Sequence, residues 1–203
     1  MSMILALTSI SDHTAEQVLA NPPLLWRLLA PDDMEVYHKE TKKHKSLGYL
    51  THMFGRADDK KAVNLPKLDL VEWEGISQDI DKAWHGIHYL LTKTAWEGDP
   101  PLNFLLSGGK VVPNIEVGYG AARIFTSDAV HIIHDAISKI TVEYLKSRFD
   151  PKDMINKKIY PSIWERDPLE DDTLGYCLEY FEVLKQFVAD SSRNNLGFVV
   201  TIE

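Results

Sequence analysis

Ser77-Gln78-Asp79-Ile80-Asp81-Lys82-Ala83-Trp84-His85-Gly86-Ile87-His88-Tyr89-Leu90-Leu91 is the stretch from which the fold is read. Ser77 offers a capping hydroxyl, and Asp79 suits the positive end of a helix dipole. Ile80, Trp84, Ile87 and Leu91 fall at i, i+4, i+7 and i+11, which makes one apolar stripe. The spacing predicts a long amphipathic helix beginning near Ser77.

Upstream, Met3 to Thr8 is too short for a good helix and reads as a buried strand. Ser11 or Asp12 then caps a helix to about Ala20, stopped by Pro22-Pro23. Pro23 suits the first turn of a second short helix carrying Leu24, Leu25, Trp26, Leu28 and Leu29. Between residues 32 and 67 the pattern is least regular, with one short helix expected around Leu47, Tyr49, Leu50, Met53 and Phe54.

Downstream, Gly98-Asp99-Pro100-Pro101 ends the block, Leu102 to Leu106 reads as one or two helical turns, and Gly108-Gly109 as a tight turn. Extended pieces follow around Val111-Val112 and from Ala122 to Thr126. A helix starting at Thr126 or Ser127 puts Val130, Ile133, Ile137, Ile140 and Tyr144 on its inner face. Asp150-Pro151-Lys152-Asp153 is a helix start. Asp167-Pro168-Leu169-Glu170 starts the last one, with Asp167 as cap, running to about Ala189. A turn at Asn194-Asn195 and Gly197 leads into a terminal strand, Phe198 to Ile202. Helices dominate and both ends are strands, so the expected fold is α+β, one helix-rich domain over residues 1–203 with a few short strands.

The chain has 203 residues, 44% apolar and 26% charged, with a net charge of −8. That composition excludes collagen, coiled coil and wholesale disorder. The charge disfavours nonspecific contact with nucleic acid or an anionic membrane. It is an uneven average. From His38 to Lys61 seven bases face three acids, which reads as a solvated charged face, or else as a lid or a partner-binding insertion. From Glu165 to Glu182 seven acids face Arg166 alone. A single cysteine, Cys177, rules out an intrachain disulfide and reads as a small buried hydrophobe. The apolar start lacks a signal-peptide pattern, and no run approaches the ~20 apolar residues that span a bilayer. The expected location is the cytoplasm.

Asp81, His85 and His88 lie at i, i+4 and i+7 and share one strip. A carboxylate and two imidazoles so placed suit either an acid–base pair or Zn²⁺ with one open position, though no fourth ligand is evident. No resident metal or cofactor is therefore expected. His131 and His134 repeat the i, i+3 spacing on a face expected to be solvated. Gly118-Tyr119-Gly120 lacks the third glycine and adjoining helix of a dinucleotide site. Gly108-Gly109-Lys110 lacks the spacing of a P-loop. Arg123, flanked by apolar residues, needs a partner: a buried acid such as Asp81, or an anionic ligand. Trp84, Tyr119 and Arg123 are the candidate binding residues. Trp84 fits a core anchor, as does Trp164, and one of Trp73 and Trp96 suits an exposed partner anchor.

The run from Asp81 to Leu91 resembles the hallmark helix of the YfbM-like bacterial domain of unknown function. Pro101-Leu102 with Gly108-Gly109, Gly118-Tyr119-Gly120 with Ala122-Arg123, and Phe149-Asp150-Pro151 with Met154 fit the same pattern, as do Tyr160-Pro161 with Trp164. The chain departs from it at Ala121, where proline is frequent. The resemblance implies a bacterial α+β domain, and no activity, cofactor or catalytic residue comes with it.

The leading expectation for function is a small acidic binding module for a protein or small anionic ligand, since no catalytic motif is complete. A hydrolase or transferase using Asp81, His85, His88 and Arg123 in one cleft is the alternative. A toxin-neutralising or inhibitory protein, suggested by size and acidity, is the second.

Overall fold

Apolar segments from the two ends of the chain pair with each other at the heart of a sheet. A computed structural model describes residues 2–33, 35–36, 38–39 and 68–203. Strand β1 (Leu5–Ile10) runs antiparallel to β5 (Gly197–Ile202), in register from Leu5 opposite Ile202 to Ile10 opposite Gly197. β2 (Ser77–Asp79) adds to the other side of β1, while β4 (Ala121–Phe125) and β3 (Lys110–Glu116) extend the sheet beyond β5. The order is β2-β1-β5-β4-β3.

Side chains alternate across each strand, so the sheet divides the core in two. Leu5, Leu7, Phe198 and Val200 pack on one face under α3 (Trp84–Thr92), α4 (Ser127–Ile137) and α7 (Thr173–Arg193). Ile10, Val199, Ile124 and Val112 pack on the other against Val18 of α1 (Asp12–Ala20) and Leu25 of α2 (Leu25–Leu29). α5 (Val142–Arg148) and α6 (Pro151–Asn156) close the first layer. The α+β expectation holds. Among the described residues no helix is long and apolar enough to cross a membrane.

Caps fall where the sequence places them at Ser11, Thr126 and Asp150. Four expectations are corrected. Ser77–Asp79 is an edge strand rather than the start of a helix. The alternation of Ile76, Gln78 and Ile80 satisfies a period of two as well as the helical one. Asp81, at φ 42, turns the chain into a 3-10 turn (Asp81–Ala83), and α3 follows, buried on every face from Trp84 to Leu91. It is a core helix, not an amphipathic one. The helix from Ser127 stops at Ile137; Thr141 caps α5, and Tyr144 lies partly exposed there rather than on an inner face.

Leu102–Leu106 forms consecutive turns rather than helix. The last helix begins at Thr173, capped by Asp172, while Asp167 closes a turn by accepting the Leu169 N–H (2.9 Å). Its buried stripe starts at Thr173 and Cys177, so the register of that stripe selects the cap. The short helix expected around Leu47 to Phe54 lies outside the described residues, as does the basic stretch apart from His38 and Lys39.

Candidate functional site

Because α3 is enclosed, its histidines are enclosed too. His85 and His88 are both fully buried, their ring centroids 6.4 Å apart. The Tyr160 N–H donates to His85 Nδ1 (3.0 Å), and Nε2–H donates to the Ala95 carbonyl (2.6 Å). Those two bonds fix one neutral tautomer. Trp84 stacks on the ring at 4.7 Å and Trp96 tilts over it at 4.6 Å. Burial lowers the pKa of His85, against the Ala95 bond, which raises it. Burial lowers that of His88 to about 4, with the neighbouring His85 and the Arg123 cation acting in the same sense and a bond to the Glu97 backbone acting against them. His88 Nδ1 is buried with no hydrogen-bond partner among the described residues.

Asp81 leaves this pair. Its carboxylate accepts the Tyr176 hydroxyl (2.8 Å), and the same oxygen of Tyr176 accepts the Lys82 N–H (3.1 Å). Asp81, Lys82, Tyr160, Arg166 and Tyr176 line an open polar cleft of about 560 Å³. The strip read from the helical spacing is therefore split between interior and surface. Among the described residues no group of three or more His, Cys, Asp and Glu can hold a metal ion.

Arg123 does not pair with Asp81. Its guanidinium donates to the carbonyls of Phe104 (3.0 Å), Leu105 (2.5 Å), Ser107 (2.8 Å) and Gly108 (3.2 Å). One cation thus satisfies four carbonyls along the turns that lead from Phe104 to Gly108. Burial lowers its pKa to about 10. Tyr119 sits half exposed in the β3–β4 turn, held by its N–H on the Ile202 carbonyl (2.7 Å). Cys177 is buried, which raises its thiol to about 12. Nor is His131 simply solvated: Nε2–H donates to Asn195 Oδ1 (3.2 Å), leaving Nδ1 to the Ser192 hydroxyl (2.7 Å).

A second surface feature was not assembled by the sequence reading. Trp73 stands about half exposed (52%) on a turn at φ 71, followed by exposed Ile76. Two polar side chains lock that turn. The Ser9 hydroxyl donates to the Trp73 carbonyl (2.6 Å) and accepts the Ile76 N–H (3.0 Å). The buried Glu74 carboxylate accepts the N–H groups of Ser11 (2.5 Å) and Val71 (2.6 Å). Burial raises the pKa of Glu74, but these bonds outweigh it and the net shift is downward.

Trp73 and Ile76 form one wall of a groove of about 740 Å³, and Val183, Phe187 and Leu196 the apolar remainder. Glu182 and Asp190 stand on its helix wall. Of the two tryptophans expected to flank turns, both are exposed, and Trp73 lines this groove. Gly75 in the sequence signals the turn. The long-range partners Ser9 and Glu74–Ser11 carry no local signature.

These features define an α+β protein with an enclosed histidine helix, an open polar cleft and an apolar groove. The chain belongs to the family described as "Domain of unknown function (DUF1877)", which matches residues 1–201. It is similar in structure to a protein of unknown function, YfbM, from Escherichia coli. That likeness has a TM-score of 0.61 at 16% identity and covers 98% of this chain and 99% of that one. No curated protein matches the sequence.

Proposed function

We propose that the protein is a binding module that receives a segment of a partner protein in the groove beside Trp73. The observation that carries this reading is an exposed indole on a turn held rigid from beneath by Ser9 and Glu74. Leu70, Val71 and Ile76 are exposed on the same short segment. A preset aromatic anchor above an apolar floor binds with little ordering cost. A cluster of exposed apolar side chains is the usual mark of an interaction surface. Carboxylates on the rim favour a cationic partner over the anionic ligand considered for Arg123, whose guanidinium is engaged by four carbonyls.

The enzyme reading requires Asp81, His85, His88 and Arg123 to face one solvent-reached cleft. Of these, Asp81 lines the polar cleft, the two imidazoles are fully buried, and Arg123 caps a turn. The geometry gives the partner reading more support. No observation favours toxin neutralisation.

The test places a photo-crosslinking amino acid at position 73, with position 119 as a control, in cells that make the protein. The expected result is an adduct from position 73 that maps to one segment of one partner and disappears with Ile76→Lys. An adduct pattern equal to that of the control overturns the proposal.

A further inference from the structure

The sheet stops short beneath its longest helix. Among the described residues β2 is a three-residue edge strand, whereas α7 has 21 residues and carries Val183 and Phe187 over the groove that Ile76 and Gln78 also line.

We infer that the partner segment enters as a sixth strand, extended, alternately apolar and basic, paired to the edge of β2 that no described strand occupies. The inference rests on the binding-module reading and names the occupant of that same groove. Ser9 N–H donates to the Ile76 carbonyl (2.9 Å) and Ile80 N–H to the Leu5 carbonyl (2.9 Å), so Ile76 and Ile80 spend their backbone groups on β1. In an antiparallel ladder the intervening residues turn theirs outward. Ser77 and Asp79 therefore present N–H and C=O groups to an incoming chain. The Asp79 carbonyl is covered by the Gln78 side-chain amide (2.9 Å), a flexible group a ladder bond can replace.

The pleat supplies the register. Ile76 and Gln78 face the groove, while Ser77 faces away and joins the Thr8 hydroxyl (2.7 Å). Every second side chain of an added strand would then reach Trp73, Ile76, Val183 and Phe187. The charges around this edge select the other side chains. Among the described residues, Asp79 of β2 and Glu182 and Asp190 of the groove stand against Arg193, and that cation already meets Asp190 at 2.6 Å. A basic strand complements this field and an acidic one opposes it. The three-residue length of β2 limits edge-to-edge pairing between copies.

The experiment titrates the intact protein with synthetic eight-residue peptides at about 0.15 M salt, where free charges beyond about 8 Å are screened. Isoleucine alternates with lysine in the first peptide and with glutamate in the second. The third is the lysine peptide N-methylated at every second backbone nitrogen, on the edge that would pair. The fourth has the lysine peptide's composition with its isoleucines clustered. Tryptophan emission, assigned with Trp73→Phe, reads binding, and amide exchange reads the edge.

The lysine peptide is expected to bind at least tenfold tighter than the other three, with exchange slowed at Ser77 and Asp79, and Ile76→Lys to weaken it at least tenfold. Equal binding of the methylated peptide overturns strand addition and leaves the groove's binding role standing. Tighter binding of the glutamate peptide overturns the basic occupant. Silence of all four, with a mapped crosslink from position 73, overturns the occupant class alone. Silence in both experiments overturns the binding module as well.

Discussion

The backbone N–H of Tyr160 donates to Nδ1 of His85, 75 positions away in sequence, and so leaves that nitrogen no room for a proton. The adjoining imidazole of His88 is held neutral by burial, with a pKa of about 4. Both groups therefore take up protons more readily in the unfolded chain than in the folded one.

The sign of the pH dependence follows. Below the ordinary histidine value of about 6.5 the unfolded chain is protonated first, so stability falls as pH drops toward 4. The slope due to His88 approaches about 1.4 kcal/mol per pH unit in that window. Urea melts of wild type between pH 7.5 and 4.5 should show it, and His88→Gln should flatten the curve. An unchanged slope in the variant would remove His88 as its source.

Gly86 lies inside α3 because nothing else fits. A Cβ there would come within 2.5 Å of the Trp164 ring and 2.6 Å of the Cys177 sulfur. Gly86→Ala gains helix propensity of about 1 kcal/mol, yet overpacking costs about 1–3 kcal/mol or more. A lowered midpoint in thermal unfolding is expected. Adding Cys177→Ala, which removes one of the two close atoms, should recover part of the loss.

Arg123→Met keeps the apolar stem and strips the carbonyls of Phe104, Leu105, Ser107 and Gly108 of their shared donor. Buried acceptors left unmade cost about 1–3 kcal/mol each, partly recovered by water. Loss of at least about 2 kcal/mol in chemical denaturation is expected on that basis. Arg123→Lys should recover only part of it, since an ammonium lacks the planar fork.

Glu74→Gln tests the support of the exposed indole. It replaces a carboxylate accepting two short N–H bonds by a neutral amide and should lower stability by about 1–2 kcal/mol at pH 7. Because the folded pKa of Glu74 lies below its ordinary value, its contribution is complete above that value and fades as pH falls through the lowered one. The difference between wild type and variant should therefore shrink in acid. Trp73 anisotropy should drop in the variant at neutral pH.

Much of the architecture was legible because it is local. Ser11, Thr126 and Asp150 each cap by a bond to a residue three positions on, and a sequence displays that spacing directly. Ser77 failed for the same reason: its periodicity fitted both helix and strand, and only its pairing to Thr8 decides. The candidate strip failed differently. Spacing places Asp81, His85 and His88 on one side of an ideal helix, but the chain is not helical at Asp81, so its carboxylate reaches Tyr176 instead. The partner of Arg123 could not be read at all, because backbone carbonyls carry no letter in a sequence. The turn at Trp73 hides likewise behind Ser9, more than sixty positions away.

The pairing of β1 with β5 bears on how the protein is made. Residues 5–10 emerge from the ribosome well before their central partners at 197–202. Until then the nascent chain holds β1 without its main neighbour, and the apolar faces of both layers lack the strand that joins them. Completion of the sheet is therefore held back until synthesis has passed residue 202, and every earlier intermediate leaves one edge of β1 without its partner for whatever chaperones attend it.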